Sequence, residues 1–417
     1  LWYIRAKEVV ISSGSIERPI VFGNNDTPGV VLASAAKEYL KVYGVLVGKK
    51  PLIFTNNDSA YETAIEFKKQ GISPIVIDTR NNPESEVIRE AQEINIEIKF
   101  SHVVVAAKGY KKVNSAEITT ISEDKKDLGK IKNIKCDCIC VSGFWTPTIH
   151  LASQSGNKTI FNKDIDAFIP GKSKQLETTL GAAKGIFNLE QTLKTSFEAG
   201  HEISKKITNK DNKVNIPQVL EKKNTKHDKF WCVPLPKDKK YKRFLDFQND
   251  VAVSDVELAI REGYRSIEHV KRYTTLGMAT DQGKTSNINA LGIISKLTDT
   301  PIHKLGTTTF RLPYTPVTFG ALAGRHVKEF FDVERTTPIH QWHIDNNAKF
   351  EDVGQWKRAW YYPKEGEDMY HAVNREVKAT RDGIGILDAS TLGKIDIKGQ
   401  DANEFLNRVY TNSWSKL

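Results

Sequence analysis

Residues 246–286 read DFQNDVAVSDVELAIREGYRSIEHVKRYTTLGMATDQGKTS, and this stretch decides the centre of the fold. Ser254 precedes acidic residues, which predicts a helix that is capped at Ser254 and closed by Gly263 in a left-handed conformation. Ser266 predicts the start of a second helix, which stops at Gly277. The stretch is therefore a pair of short helices followed by the loop DQGKTS.

The DQGKTS loop invites comparison with the loops that bind nucleoside triphosphates, but its spacing excludes that class. Gly277 and Gly283 are separated by five residues instead of four, and a helix precedes them instead of a strand. Gly283 and Lys284 could still offer backbone N–H groups and one positive charge to a phosphate at a helix start. A solvated surface lysine is the open alternative, because exposed lysine is common.

Beyond its local pattern, the stretch resembles the small iron–sulfur module of bacterioferritin-associated ferredoxins and of amine-oxidising complexes, without its cysteines. The resemblance places the four cluster-ligand positions on Asp246, Gln248, Asp281 and Ser286. These side chains cannot replace the thiolates that hold iron–sulfur centres. We therefore expect a helical module that has kept its fold and lost its metal, and we predict no metal site.

The composition is that of an ordinary globular protein. The chain has 417 residues, enough for two to four domains, and a net charge of +10. No basic stripe is interleaved with stacking aromatic residues, so we expect no nucleic-acid partner. No apolar run reaches the length of a membrane span and no charged-then-apolar leader opens the chain, so we expect no membrane partner and a cytoplasmic location.

Three of the four cysteines alternate along an apolar run, KCDCICVSG. Cys136, Cys138 and Cys140 lack both the two-residue gap and the second pair of a zinc site. The run predicts a buried strand in a reducing compartment.

Four blocks follow one another along the chain, which predicts a multidomain protein of α/β and α+β class. In residues 1–204 apolar strands alternate with amphipathic helices, which indicates a parallel sheet with right-handed crossovers in a dinucleotide-binding domain. Residues 205–240 are rich in lysine, which indicates a linker or a long surface excursion. The helical module occupies residues 241–324, and residues 325–417 mix aromatic residues with helices and a strand.

One turn of the dinucleotide domain lacks its usual fingerprint. The strand PLIFT is followed by NNDSAYETA, where a Rossmann turn has glycines that let a pyrophosphate approach the backbone. Asp58 would repel a pyrophosphate, so we expect no dinucleotide at this turn. Asp78 stands where a ribose-binding acid is expected, with an ordinary strand-end residue as the better interpretation.

The segment VVISSGSIERPIVFGNNDTPGVVLASAA resembles two-domain, flavin-type disulfide and amine dehydrogenases. The resemblance implies that Ser13 and Gly14 pass close to a bound cofactor, and that the turn from Gly181 to Gly185 leads into a helix whose N-terminus faces it. Packing glycines are the open alternative for the second turn. The glycine-rich loop of that site is expected before Leu1, and the chain is expected to be part of a longer protein.

The last block, from HQWHIDNNAKF to GQDANEFLNRVYTN, resembles the start of folate-dependent aminomethyltransferase domains, as in glycine-cleavage T-proteins. The pattern Arg381-x-Gly383-x-Gly385 leads into a predicted strand that carries Asp388. A catalytic carboxylate and a structural acid are both open for Asp388. The catalytic residues stay unknown, because the resemblance places most of the folate site after Leu417.

Together, the blocks resemble the alpha subunits of heterotetrameric sarcosine oxidases. The fold expected from this resemblance is a partial flavoprotein-like fold of two dinucleotide-binding domains, followed by the helical module without a cluster and the start of the aminomethyltransferase domain. The resemblance implies conversion of sarcosine, oxygen and tetrahydrofolate to glycine, hydrogen peroxide and 5,10-methylenetetrahydrofolate. It also implies NAD in this chain, FMN at the boundary with a partner, FAD in a beta subunit, and gamma and delta subunits. Lys284, Thr285 and Arg311 are our candidates for contacts to the FMN phosphate.

Two other functions remain open from the sequence. One is the alpha subunit of another amine or imino-acid dehydrogenase complex, although those proteins often keep the cluster cysteines and lack the folate domain. The other is a non-enzymatic scaffold subunit, which the missing Rossmann glycines allow.

Overall fold

The structure is a computed structural model that describes residues 2, 4–211, 214–219, 225–313, 315–325 and 332–414. Leu1, where we expect a strand hairpin, lies outside the described residues. The chain divides into two compact units, residues 2–316 and 317–417. Our finer division at residues 204, 240 and 324 stays a prediction.

The larger unit contains the predicted dinucleotide domain and the helical module as far as residue 316. Its strands are β1 (Val9–Ile11), β2 (Ser15–Glu17), β3 (Val30–Leu32), β4 (Pro51–Thr55), β5 (Ile75–Asp78), β6 (Glu97–Lys99), β7 (His102–Lys108), β8 (Ser115–Thr120), β9 (Lys132–Lys135), β10 (Cys138–Ser142), β11 (Trp145–Pro147), β12 (Thr159–Asn162), β13 (Ala167–Pro170), β14 (Glu177–Thr179), β15 (Phe244–Asp246) and β16 (Val251–Ala252). Its helices are α1 (Ala33–Tyr43), α2 (Ser59–Lys69), α3 (Glu86–Glu93), α4 (His150–Gln154), α5 (Leu189–Thr208), α6 (Val253–Arg261), α7 (Ile267–Thr274), α8 (Asn287–Thr298) and α9 (Ile302–Leu305), with a 3-10 turn over Gly181–Lys184.

A five-stranded parallel sheet in the order β3-β10-β4-β5-β6 confirms the predicted α/β class. Alternate residues of β4 enter different cores: Ile53 packs with residues of α1, α2 and α3, whereas Leu52 and Phe54 pack with residues of the antiparallel sheet β7-β8-β9. Every residue of β10 is buried, including Cys138 and Cys140, as the alternating cysteine run predicts.

The helical module packs its apolar side chains into a third core. Helices α6, α7 and α8 contribute most of this core, and Val21, Ile149 and Phe168 of the dinucleotide-type part complete it. The two parts therefore share buried surface within one unit, and the module is not an independent appendage.

The first module helix starts before the predicted cap. It begins at Val253, and the N–H of Ala252 donates to the Asp255 carboxylate over 2.8 Å. The prediction of Ser254 as the N-cap is therefore wrong, because the carboxylate at the third helical position satisfies the backbone one turn earlier. Gly263 is left-handed with φ +98°, as predicted, and the second helix follows Ser266.

The lysine-rich segment 205–240 differs from a plain linker. Its first residues continue α5 as far as Thr208. Farther on, Phe230 and Val233 are buried in the core of the dinucleotide-type part, and a parallel bridge joins Val21 to Cys232. Sparse apolar residues concealed this contact in the sequence, because a short buried segment needs no periodicity.

The smaller unit contains β17 (Arg335–Thr336), β18 (Lys349–Val353), β19 (Trp356–Tyr361), α10 (Phe319–Ala323), α11 (His340–Asp345), α12 (Met369–Asp382) and α13 (Ala402–Val409). Its strands form one sheet in the order β17-β19-β18. The strand predicted around Asp388 is absent from the described residues: no neighbouring strand there accepts its backbone hydrogen bonds, and Ile386 is fully exposed. That prediction is wrong.

No helix among the described residues combines the length and the apolar character needed to cross a lipid bilayer.

Candidate functional site

Hydrogen bonds hold together the loop that carries Asp246, Gln248, Asp281 and Ser286, the positions that the resemblance matches to cluster ligands. Asp246 accepts the N–H of Gly277 over 2.7 Å and the N–H of Gln248 over 2.9 Å. The Gln248 side chain accepts the N–H of Asp281 over 3.1 Å, and Asp281 in turn accepts the N–H of Gly283 over 3.0 Å. Asp246, Gln248 and Asp281 therefore connect the segment after β15 with the segment after α7, through side-chain oxygens that accept backbone N–H groups.

The interior of this loop is filled by the side chain of Asn287. Its amide nitrogen donates to the Gln282 carbonyl and to the Thr308 hydroxyl, and the residue is buried. Gly277 and Gly283 are both left-handed, and a Cβ atom on either would clash with Oδ1 of Asn287. The paired glycines are the signal in the sequence that such a close approach exists.

The fourth position, Ser286, is buried at the start of α8. Within the described ranges, no group of three His, Cys, Asp or Glu side chains is arranged to hold a metal ion.

Lys284 lines a small cavity of about 30 Å³ together with Thr148, His150 and Phe310. Partial burial lowers the pKa of Lys284, and the charge of Asp281 opposes this shift. Burial, followed by the nearby charge of Lys284, lowers the pKa of His150 to about 4. The imidazole is therefore neutral at neutral pH, and its ring centroid lies 3.9 Å from that of Phe310.

Thr285 and Lys284 line different cavities although they are adjacent in the chain. Thr285 borders a cavity of about 240 Å³ with Ile20, Phe22 and Phe247. Its hydroxyl donates to Asp281 over 3.4 Å. One phosphate therefore cannot be assigned to both side chains on the basis of a shared cavity.

Arg311 is tied to the same loop through its backbone. Its N–H donates to the side chain of Gln282 over 3.0 Å, and its carbonyl accepts from Gln154 over 3.0 Å. The charge of Arg311 contributes to lowering the pKa of Lys271, for which burial is the main cause. Lys271, only 8% exposed, donates to the Thr309 carbonyl. Sequence reasoning missed this second cation, because nothing near Lys271 in the chain marks it.

Ser13, Gly14 and Gly181 lie where two paired parallel strands end. Strands β1 and β14 are neighbours, and the N–H of Leu180 donates to the Ile11 carbonyl over 2.9 Å. The Ser13 hydroxyl donates to the carbonyl of Thr148, which also lines the Lys284 cavity.

The glycines of these two turns differ in their surroundings. Gly14 has φ +72° and open space where a Cβ atom would lie. A Cβ atom on Gly185 would lie 2.8 Å from Ile165 and 2.9 Å from Ile169. Gly185 is thus accounted for by packing, whereas space beside Gly14 remains for another molecule.

The turn that lacks the Rossmann glycines contains a buried ion-pair network. Arg80 donates to Asp58 over 2.7 Å and to Asp78 over 2.8 Å, and the Tyr61 hydroxyl donates to Asp78 over 2.7 Å. Asp78 is completely buried, and interactions with the two carboxylates raise the pKa of Arg80 despite its desolvation. Asp78 serves the fold here, which agrees with its interpretation as a strand-end residue.

In the smaller unit, His343 bridges two polar groups beside an open cavity. Its Nδ1 lies 2.6 Å from the Tyr362 hydroxyl, and its Nε2 lies 3.0 Å from Asp388. Hydrogen bonds from Ser390 and His343 hold the pKa of Asp388 well below its usual range. The cavity of about 1220 Å³ is bordered by these residues and by Trp342, Arg375 and Lys394. Sequence reasoning missed His343, because a single histidine in a helix carries no signal of its partners.

Family models match two parts of the chain. The sarcosine oxidase A3 domain matches residues 240–325, and the GCVT N-terminal domain matches residues 339–417.

Curated relatives match the whole chain. It is 42% identical over 425 residues to the sarcosine oxidase subunit alpha of Corynebacterium sp. (strain P-1), of which it covers 44%. It is 39% identical over 427 residues to the sarcosine oxidase subunit alpha of Rhizobium meliloti (strain 1021), of which it covers 41%. The chain thus spans less than half the length of these relatives.

Among solved structures, the L-proline dehydrogenase from P. horikoshii matches with a TM-score of 0.57 and 21% identity, over 76% of this chain and 59% of that one. This likeness supports the dinucleotide-binding fold. The chain thus combines a dinucleotide-binding fold with one segment that matches the sarcosine oxidase A3 domain and one that matches the GCVT N-terminal domain. Over its whole length the chain is similar to sarcosine oxidase alpha subunits, at 39–42% identity.

Proposed function

We propose that the chain acts as the alpha subunit of a heterotetrameric sarcosine oxidase, with beta, gamma and delta partners. The proposed complex demethylates sarcosine with oxygen and tetrahydrofolate, giving glycine, hydrogen peroxide and 5,10-methylenetetrahydrofolate. The observation that carries the proposal is the similarity to alpha subunits along the entire chain. The loop at Asp246, Gln248 and Asp281 is held by hydrogen bonds to side-chain oxygens and has no thiolates. This supports a sarcosine oxidase over dehydrogenase complexes that keep a cluster.

In this proposal the oxidation belongs to an FAD-carrying beta subunit, and this chain receives the oxidised product. Oxidation of an N-methyl amine gives an imine that water converts to formaldehyde. Docking the oxidising subunit onto a chain with a folate-binding domain limits that loss, because an enclosed path excludes water.

The FMN phosphate is proposed to bind near the loop that contains Lys284 and Thr285, with Arg311 as a third contact. FMN, when bound, supplies electron-transfer chemistry. The residues present fit an anion: Lys284 and Thr285 precede the N-terminus of α8, and Lys271 and Arg311 bring two further cations to the neighbouring segment. Because Lys284 and Thr285 line different cavities, we propose them as two separate contacts and test Lys284 first.

NAD is proposed to lie against the turns at Ser13, Gly14, Gly181 and Gly185. The open space beside Gly14 fits a close cofactor approach, and the hydrogen bond from Ser13 to Thr148 fixes the turn. Gly185 contributes through packing.

Tetrahydrofolate is proposed to use the open cavity of the smaller unit. An aromatic side chain, Trp342, suits a flat pterin ring, and the cations Arg375 and Lys394 suit carboxylates. His343 and Tyr362 supply hydrogen-bonding groups at the cavity wall.

The decisive experiment is to co-express the chain with its partner subunits and to follow sarcosine oxidation with and without tetrahydrofolate. We expect hydrogen peroxide in both cases, and methylenetetrahydrofolate instead of formaldehyde when folate is present. A flavin-loaded complex that oxidises proline or another imino acid but not sarcosine would favour the competing dehydrogenase function. A complex whose sarcosine oxidation is complete without this chain would favour a scaffold.

The FMN site has its own test. We expect Lys284→Ala to lower the FMN content of the purified complex, because a cation beside the phosphate is lost, while Lys304→Ala on the exposed part of α9 leaves it unchanged. FMN content is measured from the flavin absorbance of the assembled complex against total protein. Unchanged retention in Lys284→Ala would remove Lys284 from the site.

A further inference from the structure

We infer that the second nucleotide-binding half of the dinucleotide domain holds residues 225–228 of its own chain at the position of a dinucleotide, so that this half is an anchor and not a cofactor site. In a Rossmann-type half, the turn after the first strand and the acid after the next strand receive the pyrophosphate and the ribose. Here both positions are occupied by groups of the protein.

The backbone of the turn after β4 is paired with this segment. The N–H of Asp58 donates to the Lys226 carbonyl over 3.0 Å, and the N–H of Lys226 donates back to the Asp58 carboxylate over 3.0 Å. The N–H of Asp228 donates to the Asn56 carbonyl over 2.9 Å, and the Asn56 side chain donates to the Asp228 carbonyl over 2.6 Å. The N–H of Asp58, a donor at the turn, is therefore already used.

The side chain of His227 fixes the segment from the other side. A bridge pairs His227 with Asn57, and the imidazole stacks on Phe144 with ring centroids 3.9 Å apart and planes at 5°. Its Nε2 lies 3.4 Å from Asp166, and the side chain is 8% exposed. A buried, stacked and paired side chain holds a segment more firmly than surface hydrogen bonds do.

Charge also opposes a dinucleotide at this turn. Arg80 is a buried cation at the turn, and its charge is matched by Asp58 and Asp78, both buried. A pyrophosphate would meet the Asp58 carboxylate, and both oxygens of Asp78 already accept from Arg80 or Tyr61. The pyrophosphate and ribose interactions of a nucleotide half are each replaced.

Beyond the anchor, the chain passes directly into the core. Phe230 and Val233 are buried next to the dinucleotide-type sheet, and Trp231 packs against the core of the helical module. The anchor therefore fixes the connection between the sheet and the module. If residues 225–228 occupy this half, no dinucleotide bound there can present a nicotinamide ring to a flavin. This inference does not depend on the function proposed above.

Hydrogen exchange measured by mass spectrometry on the full chain tests the anchor. We expect slow exchange in the peptide covering residues 225–229, unchanged by millimolar NAD or NADP. Asn56→Ala removes the bond to the Asp228 carbonyl and should accelerate exchange in that peptide at least about tenfold, with α8 unaffected. Asn81→Ala, near the same surface but outside these hydrogen bonds, is the matched control.

A second variant guards against misfolding. His227→Ala removes the stacked ring without touching β4 and should give the same local acceleration. Fast exchange of residues 225–229 in the unaltered chain would overturn the inference, and so would acceleration on adding either dinucleotide, which would show a displaceable lid. A dinucleotide that protects only the turns around Ser13 and Gly181 leaves the anchor intact and bears on the NAD proposal alone.

Discussion

Two regions of the larger unit resemble ligand sites and are closed in different ways. At the loop around Asp246 and Asp281, neutral and charged side chains accept backbone N–H groups, and the amide of Asn287 fills the interior. At the second nucleotide turn, a buried arginine holds two carboxylates, and a distant segment covers them. The first closure is local and depends on shape, whereas the second is long-range and depends on charge.

The charge-dependent closure should be the more fragile of the two. Arg80→Met leaves Asp58 and Asp78 buried without their cation, and breaking a buried ion pair in this way costs about 3–5 kcal/mol. We expect urea unfolding to report this loss of stability. Arg89→Met, on the exposed face of α3, is the control and should change little. A loss below about 1 kcal/mol for Arg80→Met would break the contrast between the regions.

His150, which lines the same cavity as Lys284, should make the stability of the larger unit depend on pH. Its folded pKa of about 4 lies below the ordinary value of 6.5, so the unfolded chain takes up a proton first as pH falls. The free energy of unfolding should therefore decline by at most about 3 kcal/mol as pH drops from about 6.5 to about 4. Below that pH the contribution of His150 should level off.

His150→Leu should reduce this decline, and His303→Leu at an exposed position should not. The comparison is made from urea midpoints across the pH range. Equal slopes in the two variants would mean that the burial of His150 has no energetic consequence.

The shape-dependent closure is tested at Gly283. Gly283→Ala strains a left-handed residue and drives a methyl group into Asn287, and we expect a cost of about 1–3 kcal/mol. Gly263→Ala is matched, because that residue is also left-handed but has open space. Asn287→Ala should recover part of the Gly283→Ala loss in a double-mutant cycle of thermal unfolding. Full additivity would show that the two side chains do not interact.

Much of the fold could be predicted from short-range patterns. The strand PLIFT and the buried cysteine run are indicated by their apolar residues, and β4 and β10 lie within them. The Ser254 cap and the strand at Asp388 were wrong for a common reason. Both depended on which backbone partner is nearby, and propensity does not contain that information.

The candidate sites were less accessible to sequence reasoning. Asp58 and Lys226 are 168 positions apart, and the buried cation Lys271 is recognisable only beside Arg311. The resemblance to a known family pointed to Lys284 and Gly14, whose roles stay predictions, and it gave no indication that Lys284 and Thr285 line different cavities.

The Asn287 side chain, packed between Gly277 and Gly283, would stand in the way of an iron–sulfur cluster at Asp246, Gln248, Asp281 and Ser286. Installing cysteines at the four ligand positions would provide thiolates but leave Asn287 in the space between the segments. An engineered iron centre would therefore require a substitution at Asn287 in addition to the four cysteines. Converting this loop into a metal site is therefore a problem of repacking its interior as well as of choosing ligands.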